Sequence, residues 1–152
     1  MNISSGSKYP ASSLSNFAGH RFIVDDVECY SMEGFLQSLK FKSVDMQQAV
    51  CKLIGGAAKR KGAGKNWQRT QILYWKGIEL NRTSQEYQDL LDKAYNAMYE
   101  QSESFRKALY ASGNGSLTHS MGKTNPNETV LTISEFCGRL LRLRETGLAN
   151  KK

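Results

Sequence analysis

Glu33, Gln37 and Lys40 stand at i, i+4 and i+7 in the stretch "YSMEGFLQSLKF", residues 30–41. At ~100° per residue they fall within about 60° of one another on a helix. Met32, Phe35, Leu36 and Leu39 fill the neighbouring arc. The polar stripe therefore borders the apolar face instead of opposing it. Burial raises a carboxylate's pKa and lowers an amine's. An acid so placed can donate a proton, and a neutral lysine can attack a carbonyl carbon. Two readings stay open from spacing alone: a solvated helix face, or a catalytic site at the edge of the core.

Other chemistries find less support. His20 and His119 are the only histidines. Neither has a partner at metal-ligand spacing, so neither a metal nor a cofactor is expected. No GxSxG turn supports a serine triad. Cys29, Cys51 and Cys137 are odd in number and lack metal or redox spacing, which fits a reducing, cytoplasmic setting. Gly55-Gly56 and Gly62/Gly64 could let backbone N–H groups approach a phosphate, but they match no phosphate-loop fingerprint. They read more readily as structural turns.

These residues need a scaffold, and 152 residues suffice for one domain with a real core. Composition is globular, 39% hydrophobic and 10% aromatic, with no apolar run near the ~20 residues of a membrane span. The N-terminus lacks the apolar core of a secretory signal. Net charge is +7, with a pI near 9.4, which favours polyanionic partners. The excess is uneven. Lys52, Lys59, Arg60, Lys61, Lys65 and Arg69 fall in one stretch without Asp or Glu, beside Trp67, Tyr74 and Trp75. Arg139, Arg142 and Arg144 form a second group. Aromatic residues among cations can stack bases, and they can equally pack a core.

Residues 1–13 read as an irregular lead-in and 148–152 as a flexible tail, flanking a domain over 14–147. Phe22, Val24, Val27 and Cys29 alternate around Asp25-Asp26, which predicts a short hairpin. Ser31 can cap the next helix. Further helices are expected over 44–54, ended by Gly55-Gly56, and over 66–79, with Trp67, Ile72, Trp75 and Ile78 inward. The strongest helix starts at Thr83, boxed with Glu86, and carries Tyr87, Leu90, Leu91, Ala94, Tyr95 and Met98 at helical period. Another covers 102–111. The loop "SGNGSLTHSMGKTNPNET" is long enough to be functional or disordered. The last helix opens at Thr132, boxed with Glu135. The expected class is mainly α (α+β), one domain of about five to seven helices with a small antiparallel β element.

The order of these pieces resembles the NADAR family, the YbiA-like fold. The resemblance rests on Ser15-Asn16-Phe17, on the helix pattern S-x-E-x-x-x-Q-x-x-K-F at Ser31, Glu33, Gln37, Lys40 and Phe41, and on "KGAGKNW" ending at Trp67. Gly138 and Arg144 match the final helix. It covers roughly residues 14–145. The late loop departs from it: typical members carry an Asp and a Trp-Gly pair there, and an Asn before the last helix. This chain has "LTHSMGKTNPNETVLTISEFCG", which looks like a divergent, bacteriophage-type branch.

The resemblance implies hydrolysis of an N-glycosidic bond to ribose. The implied substrate is ADP-ribose on guanine in DNA or RNA, released as free ADP-ribose; the alternatives are riboflavin-pathway ribosylamino intermediates or a non-catalytic basic binding module. It assigns catalysis to Glu33 and Lys40. It assigns substrate binding to Asn16, Phe17, Gln37, Gly55, Gly56, Lys65, Trp67, His119 and Gly122. A monomer in the host cytoplasm, countering a DNA-modifying toxin, is the expected setting.

Overall fold

Ser31 sets the start of the helix that carries the polar stripe. Its backbone is extended, its hydroxyl oxygen accepts the Gly34 N–H at 3.0 Å, and the same hydroxyl donates to the Leu53 carbonyl. The computed structural model describes residues 1–150, with side chains through Gly147. Among the described residues there are eight helices and two antiparallel hairpins. A short helix, α1 (Ala11–Leu14), precedes the hairpin of β1 (Phe22–Val24) and β2 (Val27–Cys29). Asp25 and Asp26 both take positive φ, the mirror-image turn that matches strand twist. Phe22, Val24, Val27 and Cys29 all point into the core, as their alternation predicts.

Helices α2 (Met32–Ser38), α3 (Val44–Cys51) and α4 (Gly55–Gly62) pack on one another. All of α2 is buried, its Glu33 and Gln37 included. Phe35 meets the edge of Trp75 at a ring distance of 5.1 Å. Gly55 does break the chain after α3, with φ of 56°, but a new helix begins there instead of a loop.

The helix expected over 66–79 is replaced by a single turn, α5 (Trp67–Thr70), and a second hairpin, β3 (Ile72–Trp75) and β4 (Ile78–Asn81). Lys76 and Gly77, with φ of 53° and 82°, form its tight turn. Leu73 and Trp75 are buried, whereas Ile78 is 66% exposed, a strand pattern and not a helical one.

Helix α6 (Gln85–Gln101) is the long amphipathic helix, and its six expected apolar positions are all buried. Its cap is Ser84, one residue after the expected Thr83; the Ser84 hydroxyl accepts from Tyr87 N–H. Helix α7 (Glu103–Ala111) follows, capped by Ser102. Helix α8 (Ile133–Asn150) opens with the reciprocal box: Thr132 N–H donates to Glu135 and Glu135 N–H to the Thr132 hydroxyl. The tail expected over 148–152 begins on the last residues of α8 and ends with 151 and 152, which lie outside the described residues.

Arg82 is the largest fully buried side chain. It grips Glu135 with both terminal guanidinium nitrogens, at 2.6 and 3.1 Å, and donates from Nε to the Thr129 carbonyl. Burial alone would raise the Glu135 pKa, but hydrogen bonds from Arg82, Gln88 and Thr132 together hold it below the usual carboxylate range. This fork ties the β4–α6 junction to the start of α8 and so fixes the end of the late loop. The start of that loop is tied to the N-terminal segment. Ile3 is buried, its N–H donates to the Thr118 carbonyl, and Asn2 and Thr118 form a parallel bridge. The lead-in is thus docked, and it is not irregular throughout, because its last residues belong to α1.

Candidate active site

One cleft of about 480 Å³ lies where α2, the 15–17 segment, α4–α5, the late loop and the start of α8 converge. Its size falls in the range of small-molecule sites, ~300–1,000 Å³. Glu33, Gln37 and Lys40 all line it. The helical spacing therefore does present one stripe, and the stripe faces a cavity at the edge of the core.

Glu33 is 9% exposed. Gln37 donates from Nε2 to Glu33 Oε1 at 2.9 Å. Burial raises the Glu33 pKa; the Gln37 hydrogen bond and the positive charges of Lys59 and Lys40 oppose it without cancelling it. Burial lowers the Lys40 pKa, against the attraction of Glu33. The environment pushes acid and amine toward their neutral forms, the arrangement that assigns proton-transfer roles. Lys40 Nζ donates to the Gly62 carbonyl at a long 3.4 Å. Gln37 Oε1 is buried without a partner, and it lies against Gly62.

Asn16 is held from two sides. Its carbonyl accepts the Glu33 N–H at 3.0 Å, and its Oδ1 accepts the Tyr95 hydroxyl at 2.8 Å. Tyr95 is fully buried, and burial keeps its phenol protonated and donating well past the ordinary range. Both acceptors of Asn16 are thus engaged inward, and its Nδ2 donors are left for the cleft. Tyr95→Phe removes that brace and leaves the half-buried Asn16 Oδ1 without its donor. The expected result is a stability loss of about 0.5–1.5 kcal/mol by urea melting, together with a raised KM and a less affected kcat. A wild-type melt would contradict the brace.

His119 Nδ1 lies 2.8 Å from the Ile3 carbonyl. A carbonyl only accepts, so Nδ1 carries the proton, and in the neutral ring Nε2 is the acceptor. The ring stands edge-on to Phe136 at 5.3 Å. Gly122 and Phe17 also line the cleft, and Trp67 forms a wall that is 5% exposed.

Three expected residues are not among those that line it. Gly55 starts α4 and packs beneath Phe17, where an added Cβ would touch that residue at 3.5 Å. Gly56 lies in the first turn of α4, against Arg60. Lys65 extends its ammonium over the Phe41 ring, 4.5 Å from the centroid. Besides Lys40, the lysines that do reach the cleft are Lys59 and Lys123. Lys59 belonged to the basic stretch and Lys123 to the long loop, so charge and loop length pointed at their regions but not at the residues. Nothing local in sequence marked Ser4 and Ser5, which line the cleft because Ile3 is docked beside them. Among the described residues no group of three or more His, Cys, Asp or Glu side chains could hold a metal ion. No helix there is long and apolar enough to cross a membrane.

The model of a family described as bacteriophage protein GP30.3 matches residues 8–145. The chain belongs to that family. A 17.1 kDa protein of Enterobacteria phage T4, described as uncharacterised and placed in the Gp30–rIII intergenic region, is 35% identical over 150 residues. The match spans 96% of this chain and 97% of that one. The NMR structure of the E. coli protein YbiA has a TM-score of 0.65 at 20% identity, over 99% of this chain and 86% of YbiA. The chain therefore has the YbiA fold. The expectation of an α+β, divergent phage NADAR-like chain holds.

Proposed function

We propose that the protein is an N-glycosidic hydrolase that removes ADP-ribose from guanine bases in nucleic acid. The observation that carries this reading is one cleft holding a buried acid of raised pKa, a half-buried lysine of lowered pKa, and inward-braced donors. Breaking a C1–N bond builds positive charge on the sugar and negative charge on the leaving base. Glu33, protonated, gives its proton to the leaving nitrogen. As a carboxylate it then takes a proton from the water that adds to C1 and returns to the acid form. Asn16 Nδ2 and His119 Nε2 suit ribose hydroxyls, Lys59 and Lys123 suit the diphosphate, and Trp67 suits a ring face.

Lys40 has two roles open to it, and one measurement separates them. As a neutral amine it attacks C1 of the opened sugar, the base leaves with the Glu33 proton, and water later hydrolyses the imine. As an ammonium it stabilises developing charge. Borohydride added during turnover gives an intact-mass adduct on Lys40 in the first case and an unmodified mass in the second.

The activity is tested with guanine-ADP-ribosylated oligonucleotide, following released ADP-ribose by mass spectrometry. Release is the expected result, and in a phage it would undo a toxin that adds the group. No release at high enzyme concentration overturns the reading. Cleavage of a small ribosylamino phosphate instead would assign the cleft to that class, and salt-sensitive binding without turnover would make the protein a binding module.

A further inference from the structure

Cations near the C-terminus are used inside the molecule. Arg139 and Arg142 pair with Asp92 at 3.0 and 3.7 Å, and Arg144 donates to Ser112 and to the Gly115 carbonyl. The cations of α4 and the turn after it are different. Lys59, Arg60, Lys61, Lys65 and Arg69 are all exposed, and among the described residues no ion pair reaches any of them. No carboxylate occurs between residues 52 and 69. Like charges left this close repel one another, which disfavours the folded chain unless a polyanion compensates.

Their position says where that polyanion runs. Lys59 lines the cleft near one end of the segment, and Trp67 and Gln68 line it near the other. Ala58 and Gly62 form the buried face of α4, which turns Arg60 outward, with Lys61 beside it. Arg69 follows Gln68 directly on α5. The segment is therefore a rim, with cleft-lining residues and outward cations alternating along it. Met121 also lines the cleft and is 75% exposed, an apolar side chain left largely uncovered by the described residues. A small ligand inside the cleft does not reach these outward groups. A strand that continues past it does: phosphates meet the cations, and a neighbouring base meets Met121.

We propose that Arg60, Lys61 and Arg69 bind the phosphodiester backbone of the polynucleotide strand flanking the base held in the cleft. The proposal rests on reading the cleft as the site for a modified base, and its test keeps the two apart. In the Arg60→Glu/Lys61→Glu/Arg69→Glu variant, affinity for a fluorescein-labelled, unmodified single strand should fall about tenfold or more by anisotropy. The slope of log K against log salt should flatten by about two. Turnover of guanine-ADP-ribosylated oligonucleotide should fall by a similar factor, while turnover of the ADP-ribosylated mononucleotide stays at the wild-type value. A variant that misfolds by circular dichroism is replaced by the corresponding triple Gln variant, with the same expected direction. Unchanged strand affinity and slope, or equal loss on both nucleotide substrates, overturns the proposal. Wild-type protein that turns over neither substrate defeats the cleft reading alone, because anisotropy with the unmodified strand still decides the rim.

Discussion

Glu33→Gln protein should be at least as stable as the wild type at neutral pH and turn over about 10²–10⁴-fold more slowly. The amide has the carboxyl's shape, and its oxygen can still accept from Gln37 Nε2, so the packing of α2 survives. What disappears is the proton. The stability side follows from linkage. Glu33 has a folded-state pKa above its unfolded value, so its contribution is complete below the unfolded value and is lost as pH rises through the folded one. The wild type should therefore lose stability across that window relative to the variant, whose amide does not titrate. Activity follows the same group: a required acid makes the rate fall as pH rises through its raised pKa. The checks are thermal melts and kcat at several pH values. A variant that loses activity and stability in parallel would make Glu33 a structural residue, and one with wild-type kcat would remove it from the mechanism.

Gly62→Ala should damage the site from a residue that touches no substrate in the proposed mechanism. An added Cβ would lie 1.8 Å from Gln37 Oε1 and 2.8 Å from its Cδ. Gln37 is buried and bonded to Glu33, so its amide cannot swing clear without releasing the acid. Overpacking of this kind costs about 1–3 kcal/mol. Releasing the amide removes a donor that holds the Glu33 pKa down, so the alkaline limb of the rate profile should move upward while kcat falls. Adding Gln37→Ala relieves the clash. The double variant should lose less stability than the two single losses summed, and that coupling is what contacting residues show. Additive losses, or an unshifted pH limb in Gly62→Ala, would separate Gly62 from the acid. Gly64→Ala serves as the comparison: its φ is 80°, but an added Cβ there meets nothing within 4 Å. It should carry backbone strain of about 1–2 kcal/mol without moving the pH limb.

Local pattern carried further for some elements than for others. The α2 stripe, the β1–β2 hairpin, the α6 face and the Thr132–Glu135 box were legible because each is decided within a few residues by period, turn or cap. The 66–79 segment was not. Trp67, Ile72, Trp75 and Ile78 fit a helical reading, but the Lys76-Gly77 pair between Trp75 and Ile78 is a two-residue hairpin turn, and it prevails over the apolar spacing. Gly55-Gly56 stopped α3 as expected, yet a glycine pair can also start a helix when the following residues are Ala, Lys and Arg. In the cleft, Glu33, Gln37, Lys40, Asn16 and Trp67 were visible as motif residues. Lys59, Lys123, Ser4 and Ser5 were not, because their placement depends on contacts between distant parts of the chain, which no local period records.

The bridge between Asn2 and Thr118 makes the site indivisible. Its walls come from both ends of the chain: Ser4 and Ser5 on one side, and residues from His119 to Phe136 on another. A shortened version starting at residue 14 keeps the acid, the amide and the amine on α2. It loses the carbonyl of Ile3 that orients the imidazole of His119, and it loses the Ser4–Ser5 side of the cleft. Any fragment or domain-swapped chimera built around the α2 motif alone would inherit the reactive groups without the enclosure that shifts their protonation. For this fold, the smallest portable unit is nearly the entire chain.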